Sequence, residues 1–111
     1  MYSGKGIDES RLIWASFANT FTAAGTATGN ATLPGGAVGT PVVVKGSGTV
    51  SGQVALNVSN VQQVIAPVNP NASPSVAPVP KSAFPVKTGA VSLTLTGDGA
   101  GVVRALVGFM P

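Results

Sequence analysis

Prolines are concentrated in one part of the chain, and this concentration limits the fold more than any other feature of the sequence. Six of the nine prolines lie within residues 66–85, APVNPNASPSVAPVPKSAFP. Each proline removes a backbone hydrogen-bond donor and disfavours helix at the residue before it. We call residues 66–86 the Pro-rich segment. It is predicted to be extended and to form neither a helix nor the interior of a sheet.

The length of the Pro-rich segment leaves two interpretations. At about 3.1 Å per residue, roughly twenty residues can span on the order of 60 Å, whereas a domain of roughly 100 residues has a radius of gyration of about 13 Å. The segment is either an arm that crosses its own domain and docks on a partner, or a linker or loop. We expect the arm, with apolar anchors at Val76, Val79, Phe84 and Val86.

The composition combines a hydrophobic interior with very few charges. The chain has 111 residues, enough for a single domain over residues 1–111, and is 44% hydrophobic but only 8% charged, against about 25% charged in typical soluble domains. A free monomer normally keeps itself soluble by distributing charge over its surface. A surface made mostly of Ser, Thr, Asn, Gln, Gly, Ala and Pro is instead typical of a protein that packs closely against other protein.

Residues 7–24 are predicted to form a helix. Ile13, Phe17 and Phe21 recur every four positions, which produces one apolar stripe on a helix. Acidic residues at the start of the segment suit the positive end of a helix dipole, and Gly25 follows the pattern where helices commonly end. The Ser, Thr and Asn residues in the segment are poor helix formers. The alternative is therefore a strand.

Trp14, Phe17 and Phe21 are three of the six aromatic residues in the chain. Two roles are open to them. They can close the core of their own domain, which is the interpretation that we favour. They can also dock into a neighbouring subunit, as an amphipathic element docks into a groove, and they are therefore our candidate partner-binding residues in this part of the chain.

Residues 41–65 and 87–110 are predicted to form β-strands. Residues 91–96 alternate strictly between apolar and hydroxyl side chains, the period of a half-buried strand. Residues 102–110 are apolar on both sides, which indicates a central or covered strand. A hairpin with its turn at residues 46–48 is also expected. Together these segments predict four to six short antiparallel strands in a mainly β fold, a small sandwich or barrel with an N-terminal helix.

The sequence offers little for catalysis. It contains no His and no Cys, and its only acids are Asp8, Glu9 and Asp98. Asp8 and Glu9 are adjacent and do not share a helix face, so they make a poor general acid and base pair. One Asp in a glycine turn lacks the several oxygen ligands of a calcium site. We therefore expect no catalytic, cofactor-binding or metal site, and a protein that is not an enzyme.

The distribution of cations disfavours nucleic acid as a partner, and the hydropathy pattern disfavours a membrane span and a signal peptide. The six cations are scattered singly, with no aromatic platform between them, which disfavours a dedicated nucleic-acid-binding role. No window approaches the roughly 18 uninterrupted apolar residues of a membrane span, and the start of the sequence has no apolar signal-peptide region. We therefore expect synthesis in the cytoplasm.

In whole-chain character the sequence resembles small structural proteins of bacteriophage virions, in particular capsid decoration or cement proteins. It shares with them the absence of Cys, the low charge and a richness in Gly, Ala, Val, Thr and Pro. The resemblance implies a non-enzymatic protein of the virion, made in the host cytoplasm, that uses its arm and multivalent contacts to stabilise the shell. Its expected partners are the major capsid protein or other virion subunits and copies of itself, with no small-molecule substrate.

Two other functions are open. A nucleic-acid-binding or packaging protein would use Lys45, Lys81, Lys87 and Arg104 on phosphates. A small fibre or adhesin module would expose one face to a receptor and would form a stable oligomer on its own. The resemblance to virion proteins is compositional, so it assigns no role to any individual residue.

Overall fold

The chain forms two four-stranded antiparallel sheets in a computed structural model that describes residues 9–58, 63–80 and 87–111. The prediction of a mainly β, antiparallel sandwich is confirmed. Short 3₁₀ turns occupy Glu9–Arg11 and Pro34–Gly36. The strands are β1 (Ile13–Phe21), β2 (Gly25–Thr32), β3 (Thr40–Gly48), β4 (Gly52–Leu56), β5 (Val64–Val68), β6 (Ser75–Pro78), β7 (Ala90–Gly97) and β8 (Gly101–Met110).

The order of the strands is that of a jelly roll. One sheet has the order β1-β8-β3-β6 and the other β2-β7-β4-β5; we call them the β1 sheet and the β2 sheet. Consecutive strands alternate between the two sheets, except that β4 and β5 are neighbours in the β2 sheet. Eight strands wound in this way over two sheets make the double Greek key of jelly rolls. Each of the six strand pairs joins one of β1–β4 to one of β5–β8.

The core lies between the sheets and is entirely apolar. No polar or charged residue is buried among the residues that the structure describes, and no buried side-chain nitrogen or oxygen there lacks a partner. Successive residues of a strand face opposite sides, so each strand contributes every second side chain to this core. The largest fully buried side chains are Phe109, Leu33, Leu56, Leu93 and Leu95.

Aromatic side chains of β1 pack onto glycines of the β2 sheet. Gly25, Gly97 and Gly52 lie side by side across β2, β7 and β4, and the ring of Phe21 lies against Gly25 and Gly97, with Cδ2 2.8 Å from where a Cβ on Gly97 would be. The ring of Phe17 similarly occupies the space that a side chain on Gly29 would need. The missing side chains make room for the rings.

The predicted helix over residues 7–24 is wrong. Residues Ile13–Phe21 form β1, which pairs with β8 at all nine positions, and the only helical turn described before it is Glu9–Arg11. A four-residue spacing is compatible with both structures, because every fourth residue also lies on one face of a strand. The poor helix propensity of Ser16, Asn19 and Thr20 and the long ladder with β8 favour the strand.

The predicted hairpin with a turn at residues 46–48 is also wrong. β3 runs through to Gly48, and β4 begins at Gly52 in the other sheet. The ladder between β3 and β8 continues past Gly48, since the amide of Thr49 donates to the carbonyl of Val102 at 2.9 Å. The chain therefore crosses between the sheets where a local turn was expected.

The described part of the Pro-rich segment packs against its own sandwich. Residues 66–68 complete β5, residues 75–78 form β6, and Val79 is buried. The turn between the two strands contains Asn71 with a positive φ of 62°. The backbone is extended at β6, as expected, but residues 66–80 connect one sheet to the other and do not form an arm that leaves the domain. Residues 81–86 lie outside the described residues.

Candidate protein-interaction surface

The outer face of the β1 sheet carries an apolar cluster. A Cβ on Gly108 of the central strand β8 would lie 2.7 Å from side-chain atoms of Leu12 and Val43 and 3.1 Å from Trp14. These three side chains therefore converge over Gly108, on the side of the sheet away from the core. Glycine at this position lets the indole lie close to the sheet. We call Leu12, Trp14, Val43, Lys45 and Val76 the Trp14 surface.

An ion pair borders the indole. The Nζ of Lys45 lies 5.0 Å from the centroid of the Trp14 ring and donates a hydrogen bond to Oε1 of Glu9 at 2.6 Å. The first contact is a cation–π interaction and the second is charge-assisted. The two side chains are 22% and 46% exposed, so the pair adds little to stability. Its main effect is to place a compensated charge beside an apolar ring.

Val76 extends the Trp14 surface to the edge of the sheet. It lies opposite Lys45 on β6 and is 56% exposed. Between Val76 and β1, Leu106 is paired with both Lys45 and Ser16, and it faces outward because its neighbours Ala105 and Val107 are fully buried. Together with Leu106 of β8, the Trp14 surface thus spans all four strands of the β1 sheet with apolar side chains and one ion pair.

The outer face of the β2 sheet has a different character, since none of its described strand residues carries a charge. Cross-strand pairs of hydroxyl and amide side chains cover β2 and β7: Thr26 with Thr96, Thr28 with Thr94 and Asn30 with Ser92. We call this the hydroxyl face.

Hydrogen bonds between side chains order one end of the hydroxyl face. Nδ2 of Asn57 donates to Oγ1 of Thr94 at 2.9 Å, and Nε2 of Gln63 donates to Oδ1 of Asn57 at 3.3 Å. The face can therefore offer neutral donors and acceptors to a ligand or partner, but no ionised group.

The structure separates the predicted partner-binding residues into two groups. Trp14 and Val76 lie on the outer face of the β1 sheet. Phe17, Phe21 and Val79 pack into their own sandwich, with Phe21 8% and Val79 9% exposed. These three close the core, which is the interpretation that the sequence favoured for the two phenylalanines and for Trp14. For Trp14 this interpretation is wrong, because its side chain lies on the outer face of the β1 sheet.

Phe84 and Val86, the remaining predicted anchors, lie outside the described residues. Sequence reasoning missed Leu12, Val43 and Lys45, which complete the Trp14 surface. Their arrangement depends on which strands are neighbours, because the indole meets Val43 only across β8. A glycine at an outward position of an otherwise apolar strand, such as Gly108, is a sequence pattern that could have indicated close packing by a large side chain from a neighbouring strand.

The described residues contain no group of three or more acids, histidines or cysteines that could hold a metal ion. Of the two described acids, Glu9 is paired with Lys45, and Asp98 lies at the β7–β8 connection, where its amide donates to the carbonyl of Ser51 at 2.8 Å. Within the same part of the chain no helix has the length and hydropathy needed to cross a bilayer.

In comparisons with known proteins, no family model matches the chain, and no curated protein and no solved structure matches it significantly. The described residues form an eight-stranded jelly-roll sandwich, and this class is defined by the strand order itself.

Proposed function

We propose that this protein is a non-enzymatic structural component of a viral particle, a capsid decoration, cement or minor capsid protein of a phage. The observation that supports this most directly is a jelly-roll strand order combined with outer sheet faces on which Lys45 and Arg104 are the only ionised side chains of the described strands. Jelly rolls serve viral capsids, lectins and other proteins, so the strand order alone does not select a function. The low surface charge favours a molecule that other protein covers in its working state.

In this proposal the Trp14 surface contacts the shell. Trp is enriched among the residues that dominate binding energy, especially where surrounding contacts exclude water, and Trp14 is half-buried and converges with Leu12 and Val43 over Gly108. A standard interface buries about 1,600 Å² in total. Symmetry of the shell would repeat the contact at every equivalent position, and copies of the protein that are joined to one another would gain avidity by binding several positions at once.

The Pro-rich segment has a smaller role in this mechanism than the sequence indicated. Residues 66–80 belong to the sandwich, so an arm could include only residues beyond them. The outer faces of the sheets are the larger contact areas. Stabilisation of the shell would come mainly from these faces.

The proposal is tested on virions of the source phage. We expect the protein in purified particles at a copy number that matches a symmetry-related set of sites. Trp14→Ala should reduce incorporation by about tenfold or more, since truncation of a central interface Trp costs about 2 kcal/mol or more. Ser16→Ala, an exposed position on the same strand and face, is the matched control and should incorporate normally.

Val76→Lys provides a second probe that does not disturb the indole, because Val76 is exposed on the edge strand. It should also reduce incorporation while melting at the wild-type temperature. Absence of the protein from purified particles, or incorporation of both variants at the wild-type level, would overturn the proposal. A steep loss of binding with added salt would instead indicate phosphate contacts and a packaging role.

A fibre or receptor-binding module is the second candidate, and the hydroxyl face favours it. Neutral hydroxyl and amide groups on an exposed sheet suit hydrogen bonding to an uncharged ligand such as a glycan, and lectin domains share the jelly-roll architecture. Glycan-array binding that is lost in Thr94→Val and retained in Trp14→Ala would favour this candidate over a shell-binding role.

A further inference from the structure

The two sheets have four outer strands, and the hydrogen bonds show which backbone groups face outward on each. On β2, the amide of Leu33 donates to the carbonyl of Gly89 at 2.8 Å, next to the pair Thr32 and Ala90. Bonded and non-bonded pairs alternate in an antiparallel ladder. The alternate residues Ala31, Gly29 and Ala27 therefore bond to β7. The N–H and C=O groups of the intervening Thr26, Thr28, Asn30 and Thr32 point to the free edge.

A second hydrogen bond agrees with this alternation. The amide of Asn57 on the β4 side donates to the carbonyl of Ser92 at 2.9 Å. Ser92, the partner of Asn30, thus directs its carbonyl to β4 and away from β2. The edge of β2 accordingly presents four N–H and four C=O groups.

Prolines block the outer strands on the opposite side of the sandwich. On β5, residues 64, 66 and 68 bond to β4 by the same alternation, so Ile65 and Pro67 face the free edge. On β6, the amide of Val79 donates to the carbonyl of Val42 at 2.9 Å. By the same alternation, the backbone groups of Val76 and Pro78 point to the free edge. In each strand a proline has removed one of the two outward N–H groups. Proline at such positions is a known way to prevent edge-to-edge pairing.

β2 has none of these protections. Its eight residues, GTATGNAT, include no proline and no charged residue, and its register with β7 is continuous from Gly25 to Thr32 without a bulge. No described residue pairs with its outer edge. A long, regular and uncharged edge strand is a template for pairing with another strand.

β1, the outer strand of the other sheet on this side, is similar in length and also uncharged. It follows directly on the turn Glu9–Arg11 and residues 1–8, which lie outside the described residues. Both flanks of β2 are described. β2 is therefore the edge on which the inference can be built.

We propose that β2 pairs in antiparallel fashion with β2 of a second copy of this chain, about a twofold axis at Gly29. In this register the residues whose backbone groups point to the free edge form the pairs Thr26 with Thr32 and Thr28 with Asn30 of the other copy. Each of the four outward residues then gains both of its backbone hydrogen bonds. The two β2 sheets become one eight-stranded sheet.

The side chains of β2 suit this pairing. The core-side positions Ala27, Gly29 and Ala31 are small, so Ala27 meets Ala31 and Gly29 meets its own symmetry mate without overlap. On the outer side, Thr–Thr and Thr–Asn pairs can hydrogen-bond across the strands. No charge meets a like charge, because the strand carries none. The same sequence is therefore complementary to itself, as a twofold interface requires.

The first test is the association state of the purified chain, followed by sedimentation velocity from nanomolar to high micromolar concentration. We expect a reversible dimer. Thr28→Pro removes an outward N–H and Thr28→Lys places two positive charges near the axis; each should weaken the dimer by about tenfold or more. Gln53→Lys adds the same charge to the same face on β4, two strands from the edge, and should leave the dimer unchanged.

The second test determines the register and uses the absence of cysteine from the chain. In the proposed register, Cα atoms of residue 28 and residue 30 of the other copy are about 5.5 Å apart, within the range for a disulfide. A mixture of Thr28→Cys and Asn30→Cys proteins should therefore form disulfide-linked heterodimers under mild oxidation. Either variant alone should cross-link at least about tenfold less, since like positions are diagonal to each other.

A chain that stays monomeric over the whole concentration range would overturn the proposal. A dimer that both Thr28 variants leave intact, or one that cross-links equally well in either single variant, would overturn it as well. The proposal does not depend on a role in virions. Failure of these tests would leave the virion experiments unaffected, since those examine the Trp14 surface on the other sheet.

Discussion

At the scale of single residues, glycine has a structural role in this fold that composition alone does not indicate. Gly25, Gly97 and Gly52 form a row across the β2 sheet, where Phe21 packs on the first two and the backbone of β7 lies close to the third. The absence of side chains brings backbone and ring close together. Of these three positions, Gly52 is the most restrictive, because a Cβ there would collide with the carbonyl oxygen of Thr96.

Gly52→Ala is therefore expected to lower the free energy of unfolding by about 1–3 kcal/mol, since the overlap is with backbone and the strand itself must shift. Gly25→Ala is the matched control: its Cβ would meet its nearest neighbours at 3.8 Å, and its effect should stay within about 0.5 kcal/mol. Urea unfolding followed by circular dichroism measures both. Equal losses in the two variants would show that backbone contact at Gly52 is not the cause.

At the scale of elements, the sequence predicted some strands well and others not at all. Residues 91–96 alternate without exception, and they lie within β7 as expected. The helix predicted in place of β1 is wrong because the spacing of Ile13, Phe17 and Phe21 fits both periods. The prediction of a hairpin with its turn at residues 46–48 is wrong for another reason. Local turn chemistry does not show that the strands before and after it belong to different sheets.

The Pro-rich segment shows the same limit of local reasoning. Its prolines correctly excluded helix and sheet interior, but the sequence could not show that two of them would lie on the free edges of β5 and β6. Of the Trp14 surface, the sequence predicted only Trp14 and Val76 as partner-binding residues. The other members could not be predicted, because they come together through the pairing of strands that are far apart in the chain. The described strands of this segment, β5 and β6, are thus outer strands of the two sheets.

If Pro67 and Pro78 protect these edges, restoring their N–H groups should promote association. We expect the double variant Pro67→Val and Pro78→Val to aggregate faster at high concentration, with the secondary structure of the freshly purified protein unchanged. Light scattering against time measures the rate. Pro74→Val alters an exposed proline outside the strands and should aggregate at the wild-type rate. A double variant as resistant as the wild type would contradict edge protection.

At the scale of the whole molecule, the strand pairing is entirely between halves of the chain. β1 and β3 pair with β8, β2 and β4 pair with β7, and the remaining pairs join β3 to β6 and β4 to β5. Among the strands that the structure describes, no two from the same half are neighbours in a sheet. Sequence periodicity describes one strand at a time, so it could predict a sandwich but could not predict this connectivity. Apart from β4 and β5, which residues 57–63 connect, the paired strands are far apart in sequence, so folding must close long loops to form most of its ladders.

This arrangement predicts that neither half of the chain folds alone. A fragment of residues 1–60 contains β1–β4 and a fragment of residues 61–111 contains β5–β8, yet each lacks every strand partner that the intact chain supplies. Isolated strands without partners are not stable in water. Each fragment should therefore give the circular dichroism of an unfolded chain at low concentration.

Mixing the two fragments should restore the sheet signal in a concentration-dependent way, because all six pairs can then form between them. The single Trp of the chain, Trp14, provides a second measurement, since its fluorescence should shift to shorter wavelength as the indole packs over Gly108. Gly52→Ala in the first fragment should weaken the reassembly, whereas Gly25→Ala should not. A first fragment that shows sheet structure and protected amides on its own would contradict the assignment of strand neighbours on which the jelly-roll order rests.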